Sequence, residues 1–175
     1  RDDDMIITGK RHDFRVTYDV GFDAQGRVAG IDFTHYARCG WAQDLSLPVA
    51  DRAMLHADNA YLLPALRITR HRLQTHTQSA TAFRGFGGPQ GMLGVERMMD
   101  EIAFAVGRDP LDVRLDNLYG GDGRDLTPYH QTVEDNVADQ LIEELAETSN
   151  YRARRAAIEA ENLGDGIIKR GIALT

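Results

Sequence analysis

Phe14-Arg15-Val16-Thr17-Tyr18-Asp19-Val20-Gly21-Phe22 alternates apolar with polar or small residues, the period of two expected of a strand that buries one face. Asp23-Ala24-Gln25-Gly26 then supplies turn chemistry, and Val28 to Tyr36 offers a second strand with Ile31 and Phe33 on one face,. A β-hairpin results. Further on, Leu47 to Tyr61 reads as helix after Pro48, and Leu66 to Leu73 as an extended segment with broken alternation,. From Pro89 the period changes, because Met92, Val95, Met99, Ile102 and Val106 recur at three and four residues, which predicts a helix facing a core. Gly107 can end it, and Asp109-Pro110 caps and opens another with Leu111, Leu115 and Leu118 on one face before Gly120,. Gly120 to His130 is polar and glycine-rich. Val133, Val137, Leu141 and Leu145 then mark an acidic amphipathic helix, and Arg152 to Leu163 a further, mostly solvated one,. Strands first and helices after predict an α+β layer architecture.

A chain of 175 residues, 42% hydrophobic and 27% charged, is sufficient for one domain with a real core,. Its 20 Lys and Arg against 27 Asp and Glu leave a net charge of −7, which argues against nucleic acid or an anionic membrane as partner. No apolar run approaches the roughly 20 residues that span a bilayer, and no secretory signal opens the sequence, so a cytoplasmic location is expected. Cys39 is the single cysteine; an internal disulfide, a four-cysteine iron–sulfur site and a cysteine-rich zinc knuckle are therefore excluded within this chain. Arg1-Asp2-Asp3-Asp4 has no initiating methionine, Gly164 to Gly171 reads as a turn, and Ile172-Ala173-Leu174-Thr175 resembles a strand that stops as it begins. Both ends are expected to be cuts from a longer chain.

The densest unusual segment is Thr81-Ala82-Phe83-Arg84-Gly85-Phe86-Gly87-Gly88-Pro89-Gln90, between an expected strand and an expected helix. Its glycines permit positive φ and close approach of a ligand, and Gly88-Pro89 opens a helix whose first N–H groups suit an anion or an electron-rich oxygen. The same residues could equally form a tight strand-to-helix turn, with Arg84 solvated and Phe83 and Phe86 in the core. Gly85-Phe86-Gly87 begins like a dinucleotide fingerprint but reaches Gln90 where the third glycine should stand, and the Gly-Lys-Ser/Thr ending of a phosphate loop is absent,. His12, His35, His56, His71, His76 and His130 show no metalloprotease spacing, and Ser46, Ser79 and Ser149 lack a nucleophile-elbow setting,. Cys39, beside Gly40-Trp41, reads as a small buried side chain. Arg52, in Asp51-Arg52-Ala53-Met54-Leu55-His56, reads on its own as half of a surface ion pair,.

Thr81 to Gln90 resembles the molybdenum-site loop of the xanthine dehydrogenase/xanthine oxidase family, closest in its molybdopterin-binding subunit or domain. Similarity extends through Arg1-Asp2-Asp3-Asp4-Met5-Ile6-Ile7-Thr8-Gly9, Gln43-Asp44-Leu45-Ser46, Asp51-Arg52-Ala53, His56-Ala57-Asp58-Asn59-Ala60-Tyr61, Gly91-Met92-Leu93 and Asn117-Leu118-Tyr119. It covers nearly the whole chain, residues 1–175 then being part of a molybdenum-site domain truncated at both ends. The resemblance implies hydroxylation of a purine carbon by water, as in the conversion of hypoxanthine and xanthine to urate, with molybdenum-molybdopterin as cofactor. It further implies iron–sulfur clusters and FAD on other domains or subunits, NAD as the acceptor of the whole enzyme, and an oligomeric assembly.

Residue by residue, the resemblance gives Arg52 the substrate-facing catalytic role of a guanidinium that binds an exocyclic oxygen and stabilises charge on the purine ring. Phe86 would pack on the substrate. The backbone of Arg84 and Gly85 would lie against the cofactor, Arg84 near the molybdenum ligands without a side-chain bond to the metal. The family's glutamate base lies in segments outside this chain; Gln90, an amide, cannot replace it, and Glu96 falls inside a helix,. The isolated chain is therefore expected to be inactive. Aldehyde-oxidising relatives usually lack an arginine at Arg52, so a purine is the expected substrate, with an aldehyde or another heterocycle as the alternative. A non-catalytic binding or assembly module is the alternative from a different class.

Overall fold

The computed structural model describes residues 2–121 and 123–174. Three strands form one sheet in the order β1-β2-β3: β1 is Phe14–Phe22, β2 is Val28–Gly40 and β3 is Leu66–Gln74. β1 and β2 make the expected antiparallel hairpin, Val16 opposite His35 and Tyr18 opposite Phe33. Asp23 builds its turn: the carboxylate accepts from the N–H groups of Gln25 at 2.9 Å and Arg27 at 3.0 Å. Gly26, at φ +83°, packs against Ile102 and Val113, where a side chain would crowd the core.

β3 pairs with β2 in parallel, Phe33 opposite Ile68. A parallel pair needs a crossover, and the crossover holds helix α2, Ser46–Leu55, one of six helices among the described residues. The short α1, Asp2–Ile7, precedes the sheet. After β3 come α3, Gly88–Val106, and α4, Pro110–Asn117; α5, Ala138–Thr148, and α6, Tyr151–Asn162, follow. The α+β architecture is as expected.

Alternate residues of β2 point into the core, and Phe33, Val95, Met98, Met99, Ile102 and Val113 are buried there together with Ala57, Tyr61 and Leu63. Burying each of the larger side chains contributes roughly 1.5–3 kcal/mol. The opposite sheet face carries the exposed Arg15, Thr17, Asp19, Arg67 and Thr69. Asn117 ties the hairpin to α4: its Oδ1 accepts from Val28 N–H at 2.8 Å, and its Nδ2 donates to the carbonyls of Gly26 at 2.9 Å and Val113 at 2.8 Å.

Several boundaries differ from the sequence reading. Helix α2 ends at Leu55, not Tyr61; Asn59 takes φ +47° and Tyr61 donates back to Asp58. Apolar spacing persists past the helix because Ala57, Tyr61 and Leu63 are buried from a turn. Strand β2 runs on to Gly40. The helix expected from Val133 starts at Ala138, since Val133 N–H bonds the Asp125 carbonyl at 2.7 Å and Asn136 Nδ2 bonds that of Tyr119 at 2.8 Å. Residues 172–174 form no strand; the Ile172 carbonyl accepts instead from Arg155 Nη1 at 3.1 Å. Arg1, position 122 in the glycine-rich tract and Thr175 lie outside the described residues.

Candidate functional site

Residues 84–87 form a turn that delivers the chain into α3. Gly85, Phe86 and Gly87 have φ of +92°, +51° and +97°, so the glycines occupy a region that L-residues adopt at a cost. Gly87 is also fixed by contact, because a Cβ there would stand 2.0 Å from the Val49 carbonyl oxygen. One turn along α3, a Cβ on Gly91 would stand 2.1 Å from the Ala53 oxygen. Two glycines thus let the start of α3 lie directly on the backbone of α2.

That contact brings Arg52 to the loop. Arg52 is exposed on α2, and its Nε is 3.9 Å from where Gly88 would carry a Cβ; His56 flanks the same point at 3.5 Å. The surface ion pair of this helix is made by its neighbour, Asp51 with Arg70 at 2.5 Å, and Arg52 makes none among the described residues. Phe86 is half-buried, whereas Arg84 and Gly85 are exposed. The Gly88 N–H expected to face outward instead donates to the Gly85 carbonyl at 3.0 Å, and that of Phe86 to Phe83 at 2.8 Å. Phe83, read as a possible core residue, is 54% exposed.

Residues 9–12, to which the sequence reading gave no place in the site, run alongside this loop. Lys10 bridges Ala80, Thr81 N–H donates to the Lys10 carbonyl at 2.9 Å, and a Cβ on Gly9 would meet the Thr81 methyl at 2.6 Å. Arg11 Nη2 donates to the Arg84 carbonyl at 2.7 Å, and its guanidinium lies 4.3 Å from the centre of the Phe83 ring, a cation–π arrangement. The His12 carbonyl accepts from Gln90 Nε2 at 3.1 Å, and His12 Nε2 lies 2.7 Å from Ser46 Oγ. Burial lowers the His12 pKa, against the opposing pull of Asp44 and a Thr81 backbone hydrogen bond. Nothing in local composition marks these partners, because 73 positions separate Arg11 from Arg84.

Arg11 Nη1, His12 Nδ1 and Gln90 Oε1 are buried without partners among the described residues. Arg11 Nη1 lies 3.8 Å from the Cβ position of Gly85, so a cationic donor with spare capacity sits against the exposed Arg84–Gly85 backbone. An anionic, oxygen-rich group suits that exposed backbone, because the positive charge of Arg11 stands behind it,. Among the described residues no three His, Cys, Asp or Glu side chains gather into a metal-binding group. Backbone and guanidinium groups are what the loop offers. No helix of the described residues is long and apolar enough to cross a membrane.

The profile of the molybdopterin cofactor-binding domain family matches residues 1–118. Over 174 residues, 99% of the chain, the sequence is 41% identical to a xanthine dehydrogenase of Drosophila subobscura and 40% identical to the xanthine dehydrogenase/oxidase of Mus musculus. The chain spans 13% of the length of each. Among solved structures, the aldehyde oxidoreductase of Desulfovibrio gigas superposes with a TM-score of 0.71 at 25% identity, over 87% of this chain and 16% of that one. The CO dehydrogenase of Oligotropha carboxidovorans shares the fold, with a TM-score of 0.80 at 16% identity over 90% of this chain and 20% of the other.

Proposed function

Because the chain belongs to the molybdopterin cofactor-binding domain family, we propose that it serves a molybdenum hydroxylase of the xanthine dehydrogenase kind, acting on a purine. The observation that carries the purine reading is Arg52: an exposed guanidinium without an ion pair among the described residues, 3.9 Å from the Cβ position of Gly88 at the end of the site loop. In this reading Arg52 donates hydrogen bonds to an exocyclic oxygen of the purine and offsets negative charge that develops on the ring during attack. The half-buried Phe86 packs against the purine face, where an offset stack excludes water and fixes orientation.

The Arg84–Gly85 backbone, with Arg11 behind it, would hold the molybdenum–molybdopterin group. That group, when bound, supplies two-electron oxidation and activation of the water oxygen that enters the product. Residues 84–87 keep their place through Gly87 on Val49, and Arg52 keeps its place through Gly91 on Ala53. Substrate-facing and cofactor-facing parts are thereby held in one frame, which is how positioning lowers a barrier. The proton-accepting carboxylate, the iron–sulfur clusters, the FAD and the NAD-reducing step belong in this reading to other parts of an oligomeric, cytoplasmic enzyme.

The test is Arg52→Met in the complete enzyme, with molybdenum content measured on each sample. Loss of a charge-stabilising donor predicts a fall of about 10²–10³ in xanthine turnover, with aldehyde turnover changed far less. Equal losses on both substrates would remove the proposed role. A molybdenum-loaded wild type inactive on xanthine but active on aldehydes would instead favour the aldehyde reading, which similarity to the aldehyde oxidoreductase keeps in view.

A further inference from the structure

We infer that Arg11 is a positioning residue of the cofactor-binding loop, the point through which residues 9–12 set the Arg84–Gly85 backbone against the bound molybdopterin group. This rests on the proposed molybdenum chemistry. Two contacts converge on one guanidinium, since Nη2 bonds the Arg84 carbonyl at 2.7 Å and the flat cation covers the Phe83 ring at 4.3 Å, and the buried Nη1 lies 3.8 Å from the Cβ position of Gly85. The flanking residues repeat the link in register. Lys10 bonds Thr81, and His12 bonds Gln90.

The loop has only weak means of holding itself. Its internal bonds are the two tight-turn contacts from Phe86 and Gly88, its N-cap Gly87 has no side chain, and residues 82–85 are exposed. Glycines that make the turn possible also widen the range of backbone states open to it. Gly87 anchors the downstream end on α2. Arg11 anchors the upstream end, and Arg suits the task because its planar fork can bond a carbonyl and stack on an aromatic ring together, which an ammonium cannot.

Arg11 touches no reacting atom in this assignment, and the downstream end of the loop keeps its own anchor at Gly87, so its loss should displace the Arg84–Gly85 backbone and leave Arg52 and Phe86 available to substrate. In the complete enzyme, Arg11→Ala is expected to lower kcat by about 100-fold, the cost of roughly 1 Å of misplacement, with KM for xanthine little changed. Molybdopterin should also be lost faster during gel filtration, read by pterin fluorescence, and the Mo(V) electron paramagnetic resonance signal of the reduced protein should change. Arg11→Lys, able to bond the Arg84 carbonyl but not to stack, should restore pterin retention while the signal stays altered.

Loaded Arg11→Ala enzyme with wild-type kcat, pterin retention and Mo(V) signal overturns the role of Arg11 and leaves the functional reading standing. Wild-type enzyme that carries no molybdopterin overturns the functional reading and this inference together. If Arg11→Ala does not assemble, Arg11→Met, which fills the space but can neither bond the Arg84 carbonyl nor place a cation over Phe83, decides: a wild-type Mo(V) signal refutes the role, and an altered signal at full assembly supports it.

Discussion

Gly87→Ala should loosen the seat of the loop on α2, and the structure separates its cost into two parts. Gly87 has φ +97°, and a Cβ there would stand 2.0 Å from the Val49 oxygen and 3.1 Å from the Ala53 nitrogen. Positive φ costs an alanine about 1–2 kcal/mol. Forcing atoms into a filled contact costs about 1–3 kcal/mol more, so the total is roughly 2–5 kcal/mol, a large share of a domain stability of about 5–15 kcal/mol. Gly107 is the control: φ is +68°, but nothing lies within 4 Å of its Cβ position. Gly107→Ala therefore carries the conformational part alone. The assay is amide hydrogen exchange, by mass spectrometry, of peptides covering α2 and the first turns of α3 in the complete polypeptide. Each 1.4 kcal/mol of lost local stability speeds exchange about tenfold, so Gly87→Ala should accelerate it about thirtyfold or more. Equal acceleration of those peptides by Gly87→Ala and Gly107→Ala would refute the steric argument and with it the view that the α2–α3 contact holds Arg52 at the loop.

Two further perturbations test the frame around the site. Arg114 is 2% exposed and bonds Glu96 Oε2 at 2.8 Å and Asp100 at 2.9 Å, while Glu96 also accepts from Tyr61 at 2.7 Å; Arg114→Met should cost about 3–5 kcal/mol by stranding the Glu96 charge, and a melting temperature unchanged from wild type would count against it. His35 is buried between Phe14 and Phe33 with both ring nitrogens unpaired among the described residues, and burial pushes its pKa down to about 4. The unfolded chain then binds the extra proton, so this contribution to stability is complete above about pH 6.5 and is lost as pH falls towards 4. The denaturant midpoint of wild type should fall relative to that of His35→Leu over that interval, and parallel pH profiles would show that His35 is not the source.

What the sequence disclosed follows the range of the forces involved. The hairpin was legible because Phe14 to Phe22 repeats every two residues and Asp23 carries its own turn bonds. Helix α4 was legible because Asp109 caps it within two residues, accepting from Leu111 N–H at 2.8 Å. Parallel pairing of β2 with β3 was not, since alternation reports which face is buried and not which neighbour supplies the hydrogen bonds. The end of α2 was misplaced because burial of Ala57 and Tyr61 mimics helical spacing in a turn that Asn59 breaks with its positive φ.

The candidate site divides along the same line. Glycines at 85 and 87 announce themselves, since few other residues tolerate such backbone and such contact, and the family resemblance attached Arg52 and Phe86 to them. The second anchor left no local mark. Arg11 reads as one more charged residue before a strand, and its meaning comes only from a carbonyl 73 positions away. A backbone acceptor is the same in every residue, so no pattern of side chains along the chain can reveal that Arg84 offers its carbonyl to Arg11. The glycines make the loop's shape possible, while the cation that selects among the shapes open to it is supplied by the fold.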